Sequence, residues 1–321
     1  MKQKEILLFG ATGQIGRNLV RKLSENDYRI TAVTRNIHQA GYILKTQSNP
    51  GYLRLVELKT FDLNKIDELV KNCSVCINLI GILYEKRKNQ FKIIHTDLPD
   101  LISQKAQQHN IDKFIHLSAL GIDEAIDSNY AKSKMDGEKR IIKNFYKHII
   151  LRPSIVYSVD DNFSTNFMSL LGKLPVMPLY YYGKTKFSPI HVTDLVDIIF
   201  DMVENKNDNL VLECVGPEEL TFKEILQKLL LSIKKKRILL PIPFPLAKLS
   251  AKLLQLLPNP LLTEDQLRLL KYDNIKSGNY KNNFDLGFKT NKKFEIEINK
   301  YSYNWRTGGQ FAKQNSIEGS K

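Results

Sequence analysis

Cysteine is scarce: Cys73, Cys76 and Cys214 are the only three in 321 residues. So few thiols exclude a disulfide-stapled scaffold, and one C-x-x-C pair supplies too few ligands for a four-coordinate zinc site. That pair opens an apolar strand, Val75–Ile80, and not a helix whose dipole would acidify a thiol. Reduced thiols, with Cys76 in the core, are therefore expected, and no metal site. Long apolar runs are missing too, and none reaches the length of a membrane span. The start, Met1-Lys2-Gln3-Lys4-Glu5, lacks the apolar stretch and cleavage site of a secretory leader. A cytoplasmic protein, soluble or peripheral to a membrane, is the expectation. Acids are outnumbered, 34 against 48 Lys and Arg, for a formal charge of +14. That balance favours polyanions, yet the basic residues are dispersed. Their densest run, Lys234–Arg237, has no interleaved aromatics, and no zinc-finger or RNP-type signature accompanies it. Nucleic acid is not an expected partner.

What is present is a 42% hydrophobic chain with a repeating pattern. Strands are read at Glu5–Phe9, Arg29–Thr34, Leu53–Leu58, Val75–Ile80, Lys113–Leu117 and His148–Leu151. Between them helices are read at Gln14–Ser24, Leu63–Lys71, Leu98–His109 and Lys132–Phe145. Strand alternating with helix predicts an α/β fold, a doubly wound parallel sheet of the Rossmann type. The dinucleotide-binding domain is placed at residues 1–155, with 190–216 packing back onto it. A smaller, mostly helical substrate or partner region spans 156–305, and a polar tail, 306–321, is expected to be disordered. In the second half Thr221 caps a helix with Glu224 at the capping-box position. An apolar helix, Phe244–Leu257, carries Lys248 and Lys252 between its leucines. It suits a lid or core element, or docking on a membrane surface or membrane-embedded partner.

Gly10-Ala11-Thr12-Gly13-Gln14-Ile15-Gly16 lies between the first strand and the first helix. Gly10 permits the tight turn, Gly13 lets backbone approach a pyrophosphate, and Gly16 brings the helix close to the strand. Free N–H groups at the helix start face the phosphates. The spacing differs by one residue from the commonest dinucleotide fingerprint, and the strand–turn–helix context makes it specific. An acid closing the second strand would bind a ribose 2′-OH and repel a 2′-phosphate. Here that stretch reads Thr34-Arg35-Asn36. Arg35 and Arg17 therefore favour NADP(H), with NAD(H) the alternative.

Further on, Ser118 ends a strand, and Tyr130 and Lys134 stand four apart on one helical face. A tyrosine beside an ammonium and a cofactor's positive ring is a plausible acid/base, and Ser118 can bond the reacting oxygen. After a phosphate turn these residues resemble the short-chain dehydrogenase/reductase superfamily, in its extended or atypical branches, from Glu5 to about Leu220. The resemblance implies Ser118, Tyr130 and Lys134 as the catalytic trio. It implies Asp62 and Leu63 at the adenine, and Asn78, Leu79, Ile80 and Gly81 beside the ribose. Pro153, Ile155 and Val156 would flank the nicotinamide. His191-Val192-Thr193-Asp194 matches a later element that is read as structural.

A narrower set comprises Ser118–Gly121, Gly137-Glu138, Leu151–Ser154, Asp160–Phe163, Gly183–Pro189 and Tyr301-x-Tyr303-x-Trp305. Together these resemble the NADPH-binding accessory subunit of mitochondrial respiratory complex I and its bacterial relatives. That resemblance implies a cofactor held for structure, with complex I subunits at the membrane interface as partners. The superfamily alone implies a free-standing reductase, epimerase or dehydratase of a small carbonyl or sugar-type substrate. One departure bears on turnover. Extended members place a proton-relaying asparagine where this chain has His95, which is read either as a relay or as a plain helix-surface residue.

Overall fold

The computed structural model describes residues 4–255, 260 and 262–311. Along β1 (Glu5–Phe9), Ile6 and Leu8 pack into one core and Leu7 and Phe9 into another, all fully buried. Alternation with both faces apolar is what a sheet covered on two sides requires. The other strands are β2 (Arg29–Thr34), β3 (Leu53–Glu57), β4 (Val75–Asn78), β5 (Lys113–Leu117), β6 (His148–Pro153), β7 (Leu210–Cys214) and β8 (Lys281–Asn282). They pair in parallel in the order β8-β7-β6-β5-β4-β1-β2-β3. The order reverses between β1 and β4, and a crevice at such a reversal is where doubly wound sheets bind ligands.

Helices α1 (Gln14–Glu25) and α2 (Ile37–Leu44) cover one face. Helices α3 (Leu63–Lys71), α4 (Leu98–Gln108) and α5 (Asn129–Asn144) cover the other. After β6 the chain leaves the sheet for α6 (Ser164–Lys173) and returns as α7 (Val192–Glu204), which packs beside α1. Lys113 on β5 donates to Met202 O and Asn205 O, neutralising the carbonyl end of α7. After β7 come α8 (Phe222–Ser232), α9 (Phe244–Leu254), α10 (Glu264–Leu269) and, past β8, α11 (Phe294–Asn299). Around α6, α8 and α11 a second core gathers Tyr157, Met168, Phe187, Phe222 and Phe294.

Several boundaries differ from the sequence reading, for local reasons. Strand β4 stops at Asn78 because Asn78 Oδ1 accepts the Ile80 N–H that a longer strand would use. Helix α5 starts at Asn129, three residues early, because Ser128 caps it through Ala131 N. Helix α2, absent from the sequence reading, is capped by Asn36. The capping box of Thr221 and Glu224 is present. The end of the apolar helix at Leu256 and Leu257 lies outside the described residues, as does 312–321 of the tail. Arg306 is anchored on Ser232 O. The three cysteines are free, with Cys76 and Cys214 buried. Burial pushes the Cys73 thiol up to about 12.

Candidate dinucleotide site

The turn after β1 is built as its glycines require. Gly10 sits at φ +83°, and a Cβ there would meet Leu79 C at 3.1 Å. A Cβ on Gly16 would lie 2.3 Å from Gly10 O. Those two glycines answer to the protein's own packing. Gly13 does not: its φ of −73° suits any residue, and a Cβ would meet only Gly10 O, at 3.4 Å. Gly13 is also the N-cap of α1, with no side-chain cap and no acid in the first turn. The α1 amides are thus presented bare, as an anion requires. Around the turn, Gln14 Nε2 donates to Ser158 Oγ at 2.9 Å. Arg17 donates to Asp160 and to Thr12 O. Ile15 is half-buried against the core.

Beside this turn runs the segment that follows β4. Leu79 N donates to Phe9 O at 3.0 Å, and Asn78 Nδ2 donates to His116 Nδ1 at 3.2 Å. At Gly81 a Cβ would lie 3.4 Å from Lys134 Nζ. The structure therefore brings Gly10–Gly16, Asn78–Gly81 and Lys134 together. Ser118 continues from β5, its N–H donating to Leu151 O on β6, and Lys134 Nζ donates to Leu117 O at 2.9 Å. Ser118 Oγ is buried and has no hydrogen-bond partner among the described residues. A buried hydroxyl left open at this point fits a polar ligand atom. Tyr130 packs edge-on against His95 and Phe91, with Lys134 Nζ 6.0 Å from its ring centre. Burial pushes the Tyr130 phenol up to about 12 and pulls the Lys134 ammonium down to about 8. Lowering the phenol for acid/base work requires more positive charge beside it than Lys134 alone provides against this burial.

Of the remaining expected positions, Arg35 is exposed at the end of β2. Asp62 caps α3 through Lys65 N, and Leu63 is exposed next to it. Beyond the end of β6, Leu120 N donates to Pro153 O, and Val156 pairs with Ile190. Ile155 O accepts from Ile190 N. His191 is structural as expected from its motif: its ring accepts from Thr193 N at the start of α7.

Two features escaped the sequence. His95 is no surface residue: it is fully buried in a π-helical turn, Lys92–Asp97, that leads into α4. Gly137 on α5 admits this turn, since a Cβ there would sit 1.9 Å from His95 O. Burial, then the nearby Lys134 and His116, lower the His95 imidazole to about 2. The second is Asp265 on α10, whose carboxylate accepts from Ser128 Oγ, Asn129 N and Tyr130 N at 2.8–2.9 Å. It caps the helix that carries the tyrosine, and no local pattern announces a cap from more than a hundred residues away.

The fold is Rossmann-like and residues 10–169 match the family model described as NAD(P)H-binding, so this is an NAD(P)-binding protein. The chain is similar to NADH dehydrogenase [ubiquinone] 1 alpha subcomplex subunit 9, mitochondrial, of Arabidopsis thaliana. The two are 26% identical over 284 residues, covering 85% of this chain and 71% of that one. It is also 28% identical to the ceramide reductase of Caulobacter vibrioides over 193 residues, 59% of this chain and 57% of that one. In fold it matches UDP-glucose 4-epimerase of Thermotoga maritima, with TM-score 0.69, 15% identity, and coverage of 93% and 97%.

Proposed function

We propose that this chain is an NADP(H)-holding protein that serves the respiratory NADH:quinone oxidoreductase as an accessory or assembly subunit, with the nucleotide bound mainly for structure. The observation that carries this is similarity to mitochondrial subunits of that complex along nearly the whole chain, 93% of it for the mouse protein. The second, non-Rossmann core is included, where a likeness confined to nucleotide binding would stop short. The bare α1 amides would hold the pyrophosphate, and Arg35 would hold a 2′-phosphate, joined by Arg17 where it exchanges Asp160 for the phosphate. Bound nucleotide then stabilises the folded chain by mass action. The nicotinamide supplies hydride chemistry when bound.

The surface around α9 supports attachment to a membrane-embedded partner on the inner face of the energy-transducing membrane. Ile238, Leu240, Phe244, Leu246 and Leu249 are exposed there, an apolar patch of the kind that marks interaction sites. Between Glu224 and Glu264 the sequence holds seven basic residues and no acid. No helix among the described residues is long and apolar enough to cross a membrane.

A second reading rests on the intact trio. Lys134 beside Tyr130 and bonded to Leu117 O next to Ser118, with the serine hydroxyl open, suits a free-standing NAD(P)-dependent reductase, epimerase or dehydratase of a small carbonyl or sugar-type substrate. Affinity purification from detergent-solubilised membranes decides between the two. Recovery with subunits of the oxidoreductase, undiminished in Tyr130→Phe, is the expected result. A soluble protein whose substrate turnover is abolished by Tyr130→Phe would favour the second reading. For the nucleotide, Arg35→Asp is expected to weaken NADPH about tenfold or more while sparing NADH, by loss of a charge-assisted contact. Parallel calorimetric titrations check it, and an unchanged preference removes Arg35 from the 2′-phosphate site.

A further inference from the structure

His95 occupies the position where the superfamily pattern implies a proton relay, and its hydrogen bonds leave no room for that role. Ile82 N–H donates to His95 Nε2 at 3.1 Å. A backbone amide only donates, so Nε2 carries the lone pair and the ring proton sits on Nδ1. Nδ1 lies 2.9 Å from Ser133 Oγ. The serine hydroxyl in turn donates to Tyr130 O at 2.7 Å, where a carbonyl only accepts. Every proton in the chain Ile82, His95, Ser133, Tyr130 therefore has one direction. Both ring nitrogens are committed, while Lys134 donates elsewhere, to Leu117 O. Thr96 Oγ1 adds a parallel bond to Ser133 O at 2.9 Å, and Phe91 stacks on the imidazole at 5.3 Å.

We infer that His95 is a positioning residue, locked as the neutral Nδ1–H tautomer, that fastens the Ile80–Ile82 loop to the first turn of α5 and carries no proton traffic. It sets the spacing between the segment expected beside the ribose and the Tyr130 backbone. This deepens the structural-cofactor reading, because protons reaching Lys134 must enter by another way.

Long-range 15N–1H correlation of the full-length protein's histidine rings, assigned with His95→Gln, tests it. The expected signature is a neutral Nδ1–H ring that does not change between about pH 5.5 and 8.5, where a free histidine titrates. A ring that titrates in that window, or an Nε2–H tautomer, overturns the proposal. This readout needs no nucleotide, so its failure is distinguishable from a failure of NADP(H) binding. In NADPH titrations His95→Ala is expected to bind about tenfold more weakly through the broken chain. His95→Gln, whose amide oxygen replaces the Nε2 acceptor, is expected to recover most of that loss. A folded His95→Ala with unaltered affinity, or a Gln variant no better than Ala, overturns the positioning role. If His95→Ala fails to fold, the wild-type spectra and the Gln variant still decide.

Discussion

Gly13→Asp is expected to fold at least as stably as the parent and to lose NADP(H). The stability half follows from the N-cap position: Gly13 has the extended backbone any residue adopts, and a Cβ there has room. Aspartate is among the best N-cap residues, better than glycine by a few tenths of a kcal/mol. The binding half follows from charge and volume. A carboxylate capping the α1 amides takes the donors that a pyrophosphate needs and repels its oxygens. A loss of about a hundredfold or more in affinity, roughly 2.7 kcal/mol, is the expected size. Thermal scans with and without NADPH read both halves at once. The nucleotide raises the midpoint of the parent and leaves that of the variant where it was. Undiminished affinity in Gly13→Asp would place the nucleotide, if anywhere, away from this turn.

The other large effect lies at Arg152. On β6 it bonds Glu138 of α5 at 2.5 Å and Asp123 at 2.6 Å, and Tyr280 stacks on it at 4.3 Å. Arg152 and Glu138 side chains are 4% and 3% exposed, whereas Asp123 is 39% exposed. These carboxylates hold the guanidinium pKa above its usual range despite burial. Removing one partner strands the other's charge in the core, which costs about 3–5 kcal/mol. Arg152→Met is therefore expected to lower the thermal midpoint by about 5–10 °C. Pairing it with Glu138→Leu is expected to restore most of that, because the loss comes from the stranded carboxylate and not from the missing attraction. A single variant within about 1 °C of the parent would refute it. Since Glu138 lies one turn beyond Lys134, Arg152→Met is also expected to weaken NADPH binding.

How much of this was legible depended on how local each cause was. The core strands and α1 follow from apolar periodicity alone, and β1 shows it in four consecutive residues packed alternately into two cores. Gly10, Gly13 and Gly16 were readable because one strand–turn–helix unit contains the whole device. Asn36 as a cap was equally local, and α2 was missed only because a short helix without a long apolar stripe gives little signal. His95 was not readable. Its burial depends on Gly137 and Ser133, about forty residues on, and on a π-turn that no propensity announces. Likewise, Arg17 meets Asp160, a pairing set by the path of the chain as it leaves the sheet after β6. Asp265 belongs to the same class, since its target is fixed only once both cores have formed.

Asp265 also constrains how such chains can diverge. The carboxylate that seats Tyr130 is borrowed from 135 residues downstream. A Rossmann half transplanted without its native sequel would keep its glycine turn and still mis-seat its tyrosine. Recombination near residue 155 therefore does not exchange independent cassettes. Drift in the α10 segment shifts the seat of Tyr130 without touching Tyr130 or the glycine turn.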